Sequence, residues 1–350
     1  MSKPNIFSIA TKELSQDGFF TWLLQWADSS NTVYDLNLHE AAKECIKYFI
    51  QLQHDTSNLA VDTVRTWRQW EHIDIVAEVN QEFAIIIEDK TNSAEHSEQL
   101  ERYKEIATKH YQEKGRKLAF IYLKTGNESS SKLKKVKEKG FAIADRKSVL
   151  NILNAYQVEN AIFHEFKEHL TIIETETNSY NSFQNIISKW KAAEGFYICL
   201  QEKVDEWSDW GYVANQSGGF LCFCYHWNGT DDYSIYIQIE NAFDNGIKLV
   251  IKIADWTPST RLLYQMLSKL QPIALEHGLS LVKPDRYRAG ETSTLAIVDN
   301  AFPVDNEGVL DIDKFVTTLK SLEKTIDEYC RLENEQASRQ QVIAASGADE

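Results

Sequence analysis

The sequence predicts an α/β fold: a mixed sheet flanked by helices, followed by an α+β domain with an antiparallel sheet. The apolar run Phe83–Ile87 leads directly into three charged residues, Glu88-Asp89-Lys90. A continuous apolar run of this length is typical of a strand buried on both faces. The elements predicted around it follow the order helix, three strands, helix, strand, which builds one sheet with covering helices.

The order of elements also divides the chain. The first helix is predicted over residues 8–28 and a second over about 38–54. The strands Val61–Trp70, Ile73–Val79 and Phe83–Lys90 follow, then helix 94–112, strand Leu118–Leu123, a basic helix and a fifth strand, Phe141–Ala144. The polar segment Glu174–Ser182 indicates a boundary. We therefore predict domains at 1–178 and 179–334, with a disordered polar tail at 335–350.

Composition excludes several classes of protein. The 350 residues are 43% hydrophobic and 25% charged, as in soluble globular proteins. No segment is apolar for long enough to span a membrane, and the first residues lack a signal sequence. The five cysteines are scattered without a CxxC pair, which argues against zinc or a disulfide framework. We expect a cytoplasmic protein.

Basic residues are concentrated in one part of an acidic chain. The net charge is −15, but Arg102–Gly140 holds twelve basic residues and four acidic ones. This window is therefore about +8 and the remainder about −23. In the predicted helix near 129–139, Lys132, Lys135 and Lys139 recur at helical spacing. The window is either a solvated surface or a surface that binds nucleic-acid phosphates.

The second and third strands are predicted to form a hairpin that brings acidic residues together. With Asn80-Gln81 as the loop, Asp74 would face Ile87 on the wrong side of the sheet. With Asn80-Gln81-Glu82 as the loop, Asp74 lies opposite Glu88, and we predict this register. Lys90 shares the face of Glu88. Two carboxylates suit a hydrated Mg²⁺ or Mn²⁺, and a lysine suits orientation of an attacking water.

These residues resemble the motifs of the PD-(D/E)xK nuclease superfamily. The chain carries Ile73-Asp74-Ile75, Ile85-Ile86-Ile87-Glu88-Asp89-Lys90 and Gln99-Leu100-Glu101-Arg102-Tyr103. Its first predicted helix carries Glu13 ahead of Phe19-Phe20-Thr21-Trp22-Leu23-Leu24. One branch of that superfamily reads roughly R-I-D-I, I-I-E-N-K and Q-L-x-R-Y. Here His72 replaces the arginine and Asp89 the asparagine. The resemblance covers about residues 5–155.

The resemblance implies roles for single residues. Asp74 and Glu88 would hold the metal with the backbone carbonyl of Asp89, and Lys90 would orient the water. Glu13 would complete a second metal position or hold a metal-bound water, and Gln99 would help to order the site. Arg102 and Tyr103 join Lys132, Lys135 and Lys139 as candidates for nucleic-acid binding. Core packing is the alternative for Tyr103.

The resemblance therefore favours a metal-dependent nuclease that cuts DNA, in restriction or antiviral defence by analogy of fold. The alternative is a catalytically silent module of the same fold that binds nucleic acid or a protein. The second domain could provide a sensor, a homodimer interface or a surface for a protein partner. Its aromatic cluster is either core or a base-stacking platform; the cluster comprises Trp207, Trp210, Tyr212, Phe220, Phe223, Tyr225 and Trp227.

Overall fold

A computed structural model of the chain describes residues 4–93, 98–204, 207–215, 218–230, 232–243, 246–288 and 290–346, with side chains described up to 339. The chain forms two compact units, Met1–Glu176 and Thr177–Glu350, called unit 1 and unit 2 below. No helix in the described residues is both long and apolar enough to cross a membrane.

Unit 1 contains the predicted succession of a helix, three strands, a helix and a strand. Its helices are α1 (Ile6–Ile9), α2 (Glu13–Gln25), α3 (Leu36–Gln51), α4 (Gln99–Gln112), α5 (Ser130–Glu138), α6 (Arg146–Ala155) and α7 (Ala161–Thr177). Its strands are β1 (Val64–Trp70), β2 (Ile73–Val79), β3 (Phe83–Lys90), β4 (Lys117–Lys124) and β5 (Ala142–Asp145). Several boundaries differ from the predictions: α2 begins at Glu13 rather than residue 8, and β1 begins at Val64 rather than Val61. Residues 94–97, predicted to begin the next helix, lie outside the described residues.

The sheet of unit 1 is mixed, as predicted. Its described strands lie in the order β1-β2-β3-β4-β5. The pairs β1–β2 and β2–β3 are antiparallel, whereas β3–β4 and β4–β5 are parallel. Each parallel pair is joined by a crossover helix, α4 or α5, because parallel strands cannot be connected by a tight turn.

The register of the β2–β3 hairpin is the one predicted. Val79 pairs with Phe83 and Ile75 with Ile87, so Asn80, Gln81 and Glu82 form the loop. Extending this register by one residue places Asp74 opposite Glu88. The alternative two-residue loop is wrong. The hydrophobic pattern specifies this register because a one-residue slip would move every apolar side chain of β2 to the other face.

Successive residues of β3 face two different cores. Phe83, Ile85 and Ile87 pack with apolar residues of α2 and α3. Ala84 and Ile86 pack on the other face, beneath α4. All eight residues of β3 are buried, including Glu88, Asp89 and Lys90 at its end. The strand therefore places charged side chains in the protein interior, at the edge of the sheet where the apolar packing on its two faces ends.

Unit 2 is an α+β module with an antiparallel sheet, as predicted. Its helices are α8 (Phe183–Ser188), α9 (Trp190–Lys203), α10 (Thr260–Glu276) and α11 (Ile312–Ser346). Its strands are β6 (Ser208–Val213), β7 (Phe220–Gly229), β8 (Ser234–Asn241), β9 (Ile247–Ala254), β10 (Leu281–Val282) and β11 (Thr292–Val298). In the described residues they form a six-stranded sheet in the order β10-β11-β9-β8-β7-β6.

Helix α11 extends further than the sequence predicts. We place the start of a disordered tail at residue 335, but the structure continues the helix to Ser346. Residues 335–346 include Ala, Gln, Arg and Glu, which have high intrinsic helix propensity, so a polar composition alone was a poor criterion here. The last predicted tail residues, 347–350, lie outside the described residues.

The aromatic cluster of unit 2 divides into core and surface residues. Trp210, Phe223 and Tyr225 are buried in the core of unit 2. Trp207 and Tyr212 are more than half exposed, and the ring of the exposed Trp227 stacks on Tyr236 at 3.9 Å. Core packing therefore explains only part of the cluster.

We expect a fragment that ends at Asn178 to be soluble and cooperatively folded. Unit 1 has its own sheet with a hydrophobic core on each face, and a domain with its own core can fold alone. Thermal unfolding of the fragment, followed by circular dichroism, should show one cooperative transition. Insoluble product or unfolding without a transition would contradict a boundary at this position.

Candidate active site

The predicted acidic and basic residues converge at one edge of the unit 1 sheet. The edge is formed by the end of β3, the start of β2 and the first turn of α2. Glu88 and Lys90 share one face of β3, and the hairpin register places Asp74 opposite Glu88. The structure thus brings together Asp74, Glu88 and Lys90, as the sequence predicts, and adds Glu13 from α2.

Glu88 is the buried centre of this group. Its side chain is 0% exposed, and Lys90 Nζ lies 2.5 Å from Glu88 Oε1. Among the described residues, neither carboxylate oxygen accepts an aligned hydrogen bond. Burial, together with the charge of Asp74, raises the pKa of Glu88 to about 8, against the opposing effect of Lys90. Burial alone would lower the pKa of Lys90, but the adjacent Glu88 raises it above its ordinary value.

Asp74 is held at both of its carboxylate oxygens. The backbone N–H of Asp89 donates to Asp74 Oδ2 at 2.9 Å, and Gln69 Nε2 donates to Oδ1 at 3.0 Å. Asp74 is half-buried, so it is not fully enclosed by protein. Hydrogen bonds that fix a carboxylate reduce the reorganisation needed when it binds a cation.

Glu13 lies at the start of α2 and reaches the segment that follows β3. Its Oε1 accepts hydrogen bonds from the Thr91 backbone N–H at 3.1 Å and from Ser93 Oγ at 2.5 Å. Its Oε2 lies 3.9 Å from Lys90 Nζ. Glu13 is thus close to Lys90 but already engaged by two donors. This placement supports anchoring of the loop after β3 as well as the predicted role at the site.

The Asp89 side chain points away from Glu88 and Lys90, to the face covered by α2. Gln16 Nε2 donates to Asp89 Oδ1 at 2.5 Å, and Thr125 Oγ1 donates to Gln16 Oε1 at 2.6 Å. Burial and the nearby Asp17 raise the pKa of Asp89 well above its usual range. Burial and Asp74 raise the pKa of Asp17 to about 6. Only the backbone of Asp89 can therefore serve the predicted metal position.

Gln99 and Tyr103 contact each other in the first turns of α4. Gln99 Nε2 donates to Tyr103 Oη at 2.9 Å. Tyr103 is 2% exposed and packs in the core beneath α4, so the structure favours core packing over nucleic-acid contact for its ring. Arg102 is exposed, with its guanidinium 5.3 Å from the Tyr103 ring centre. Of this pair, only Arg102 is available to bind phosphate.

The three predicted lysines of α5 differ in their environments. Lys132 Nζ lies 3.3 Å from Glu128, and Lys139 Nζ lies 3.1 Å from Glu101. Lys135 is exposed. Two of the three lysines on the predicted face therefore have an acidic partner from outside the helix. In the part of the chain that the structure describes, no carboxylate pairs with the exposed Lys134, Lys135 and Lys137.

Two residues near the site were missed by sequence reasoning. Lys124 ends β4 in register with Lys90, is 3% exposed, and donates to the Ser93 carbonyl at 2.7 Å. The sequence feature that identified Lys90 also applies to Lys124, because each is a charged residue at the end of a buried strand. Gln69 has no comparable signal, since nothing in the sequence of β1 indicates that its amide reaches Asp74.

The residues at this edge fit a divalent cation. Both oxygens of the buried Glu88 lack aligned donors, and Asp74 lies close enough to raise the Glu88 pKa. A divalent cation would relieve this repulsion. Within the described residues, no group of three or more acidic, histidine or cysteine side chains is arranged to hold an ion. Two carboxylates with several waters are nevertheless sufficient for Mg²⁺.

The fold and the site define a class of protein. A mixed sheet of αβββαβ order carries an aspartate, a Glu-x-Lys pair and a helix-borne glutamate at one edge, which is the arrangement of a phosphodiester hydrolase. A family model described as the PD-(D/E)XK nuclease superfamily matches residues 4–188, more than half of the chain. The chain belongs to this nuclease superfamily. Searches of curated proteins and of solved structures found no match.

Proposed function

We propose that the protein is a nuclease that hydrolyses DNA phosphodiester bonds with Mg²⁺ or Mn²⁺. The observation that supports this most strongly is Glu88. A fully buried carboxyl group without aligned donors, beside Asp74 and 2.5 Å from Lys90, is costly unless it serves chemistry. Perturbed pKa values of this kind are concentrated at functional sites.

Each residue of the site has its own role in the proposed reaction. Asp74 and Glu88 would hold the cation with the backbone carbonyl of Asp89. When bound, a divalent cation acts as a Lewis acid on a phosphoryl oxygen and neutralises developing charge. Lys90 positions the attacking water and stabilises negative charge through its ammonium group. Glu13, 3.9 Å from Lys90, orients that ammonium and fixes the segment Thr91–Ser93.

A catalytically silent binding module is the second candidate. The net charge of −15 favours it, since acidic proteins repel bare nucleic acid. The convergence of Asp74, Glu88 and Lys90 favours an enzyme, because a pure binding surface has no need for a buried Glu–Lys pair. Defence against foreign DNA and a sensor or dimerisation role for unit 2 are further proposals that rest on analogy of fold. A cytoplasmic location is a proposal that rests on the scattered cysteines.

A substrate panel distinguishes the two candidates. Wild type is incubated with supercoiled plasmid, linear duplex, single-stranded DNA and RNA, with Mg²⁺, with Mn²⁺ or with EDTA. The nuclease proposal predicts cleavage of DNA in the metal samples and none in EDTA. Binding without cleavage of any substrate under all conditions would favour the silent module. Cleavage of RNA alone would overturn the assignment of DNA as substrate.

We also propose that the exposed lysines of α5 bind the DNA backbone. Each phosphate neutralised contributes about 0.9 to the slope of log affinity against log salt. The variant Lys134→Glu, Lys135→Glu, Lys137→Glu should therefore lower that slope by roughly two to three, without changing sequence preference. Binding is measured in EDTA across a salt series by fluorescence anisotropy.

The control changes the net charge equally at exposed lysines of unit 2: Lys248→Glu, Lys283→Glu and Lys314→Glu. If the lysines of α5 act only through the net charge of the protein, both variants should bind DNA more weakly. The slope of log affinity against log salt should then stay near the wild-type value in both. An unchanged slope in the α5 variant would show that this helix does not contact phosphate.

A further inference from the structure

Gln69 adopts a backbone conformation that its position in β1 does not explain. Its φ is +56°, in the left-handed region that non-glycine residues rarely enter. Arg68 pairs with Ile75 and Trp70 with Ile73, but the ladder is interrupted at Gln69 itself. The neighbouring Glu71 and His72 also have positive φ, and these two form the two-residue turn to β2, which requires it. Gln69 precedes that turn and has no such requirement.

The unusual backbone directs the Gln69 amide between two acidic residues. Gln69 Nε2 donates to Asp74 Oδ1 at 3.0 Å and lies 3.4 Å from Asp17 Oδ2, which it also contacts as a donor. The Asp89 backbone N–H occupies the other Asp74 oxygen. Together the two donors stop the Asp74 carboxylate from rotating. The Gln69 amide alone also contacts Asp17, so it donates to both carboxylates.

The residue type fits this position. A carboxylate at residue 69 would add a third negative charge beside Asp74 and Asp17. A lysine or arginine would neutralise Asp74 and compete with a metal cation for it. A neutral amide donor fixes Asp74 and leaves its charge intact, as donors in the outer coordination shell do in metal sites. Strain that persists beside a functional site commonly has a functional reason.

We propose that Gln69 is a positioning residue that holds Asp74 in the orientation needed to bind the catalytic divalent cation. This inference rests on the proposed function, and it identifies a component outside the Asp74–Glu88–Lys90 set. Gln69 acts through Asp74 and does not itself contact substrate.

The substitution Gln69→Gly separates positioning from structural support. Glycine adopts positive φ without strain, so the metal-free variant should melt at the wild-type temperature or above it. Loss of the amide should lower Mn²⁺ affinity, measured by calorimetry, by roughly ten- to a hundredfold. Cleavage of plasmid at limiting Mn²⁺ should fall by a similar factor. A residue with only a structural role would not combine retained stability with weakened metal binding.

Gln81 provides a matched control. It is also a non-glycine residue with positive φ, +54°, but it lies in the exposed β2–β3 loop. Gln81→Gly should relieve comparable strain and leave Mn²⁺ affinity and cleavage unchanged. The variant Gln69→Met is the second one: it keeps the length of the side chain but has no donor, so it should weaken Mn²⁺ binding as Gln69→Gly does.

Three outcomes test the proposed role of Gln69. Weakened Mn²⁺ binding in both Gln69 variants, with wild-type behaviour of Gln81→Gly, supports the inference. Wild-type affinity and cleavage in Gln69→Gly overturn it while the proposed function stands. A wild-type protein that neither binds Mn²⁺ nor cleaves DNA overturns the proposed function and this inference together.

Discussion

Replacement of Lys90 by alanine is expected to abolish cleavage while leaving DNA binding nearly intact. The Lys90 ammonium is the only cation placed against Glu88 in the described residues, at 2.5 Å, and it shares the site with Glu13. Loss of a group that stabilises developing charge commonly lowers the rate by about 10²–10³-fold. Binding depends instead on many dispersed cations, so the dissociation constant in EDTA should change little.

The controls for this prediction address charge and stability. Lys109→Ala removes an exposed lysine of α4 and should cut at the wild-type rate. Lys90→Met keeps most of the side-chain volume and should be as inactive as Lys90→Ala. Single-turnover rates are measured with saturating enzyme, so that weakened binding does not imitate slow chemistry. Cleavage by Lys90→Ala near the wild-type rate would show that another group activates the water.

The second large effect concerns Glu88 and pH. The pKa of Glu88 is raised from 4.5 to about 8 in the folded protein, so between these values the folded state holds a proton that the unfolded chain has lost. Stability of the metal-free protein must therefore fall as pH rises from about 5 to 8. A shift of this size corresponds to a few kcal/mol, and the raised pKa of Asp17 acts in the same direction.

Two comparisons isolate the contribution of Glu88. Glu88→Gln cannot ionise, so its melting temperature should fall less steeply with pH than that of wild type. Mg²⁺ should stabilise wild type more strongly as pH rises through 8, because the cation competes with the proton for the carboxylate. The exposed Glu82→Gln serves as control and should keep the wild-type slope. Equal slopes for wild type and Glu88→Gln would contradict the assigned burial of this charge.

The sequence predicted the centre of the site because simple periodicity controls it. Residues i and i+2 of a strand share a face, and a buried hairpin tolerates one register, so Asp74, Glu88 and Lys90 could be placed together. Gln69 could not, because its contact depends on a local departure from strand geometry that no periodicity encodes. The ion pairs of Lys132 and Lys139 could not be predicted either, because their acidic partners, Glu128 and Glu101, lie outside the helix.

The role of unit 2 could not be predicted from its sequence, for a similar reason. Its α+β architecture and its antiparallel sheet were predicted from the sequence. On the face opposite its hydrophobic core, however, Glu240 accepts hydrogen bonds from Gln238 and Lys252. Such polar contacts within a strand and between neighbouring strands depend on tertiary geometry, and they carry no sequence motif that indicates a role. The sequence therefore predicts the architecture of this unit and not its role.

The central claim is that Asp74 and Glu88 hold a divalent cation that DNA cleavage requires. The most direct test is the cleavage rate of supercoiled plasmid as a function of Mg²⁺ concentration, for wild type and for Asp74→Asn. We predict that wild-type cleavage rises with Mg²⁺ to saturation and ceases in EDTA, while Asp74→Asn stays inactive or requires far more Mg²⁺. Wild-type cleavage that persists in EDTA, or an unchanged Mg²⁺ dependence in Asp74→Asn, would contradict the account.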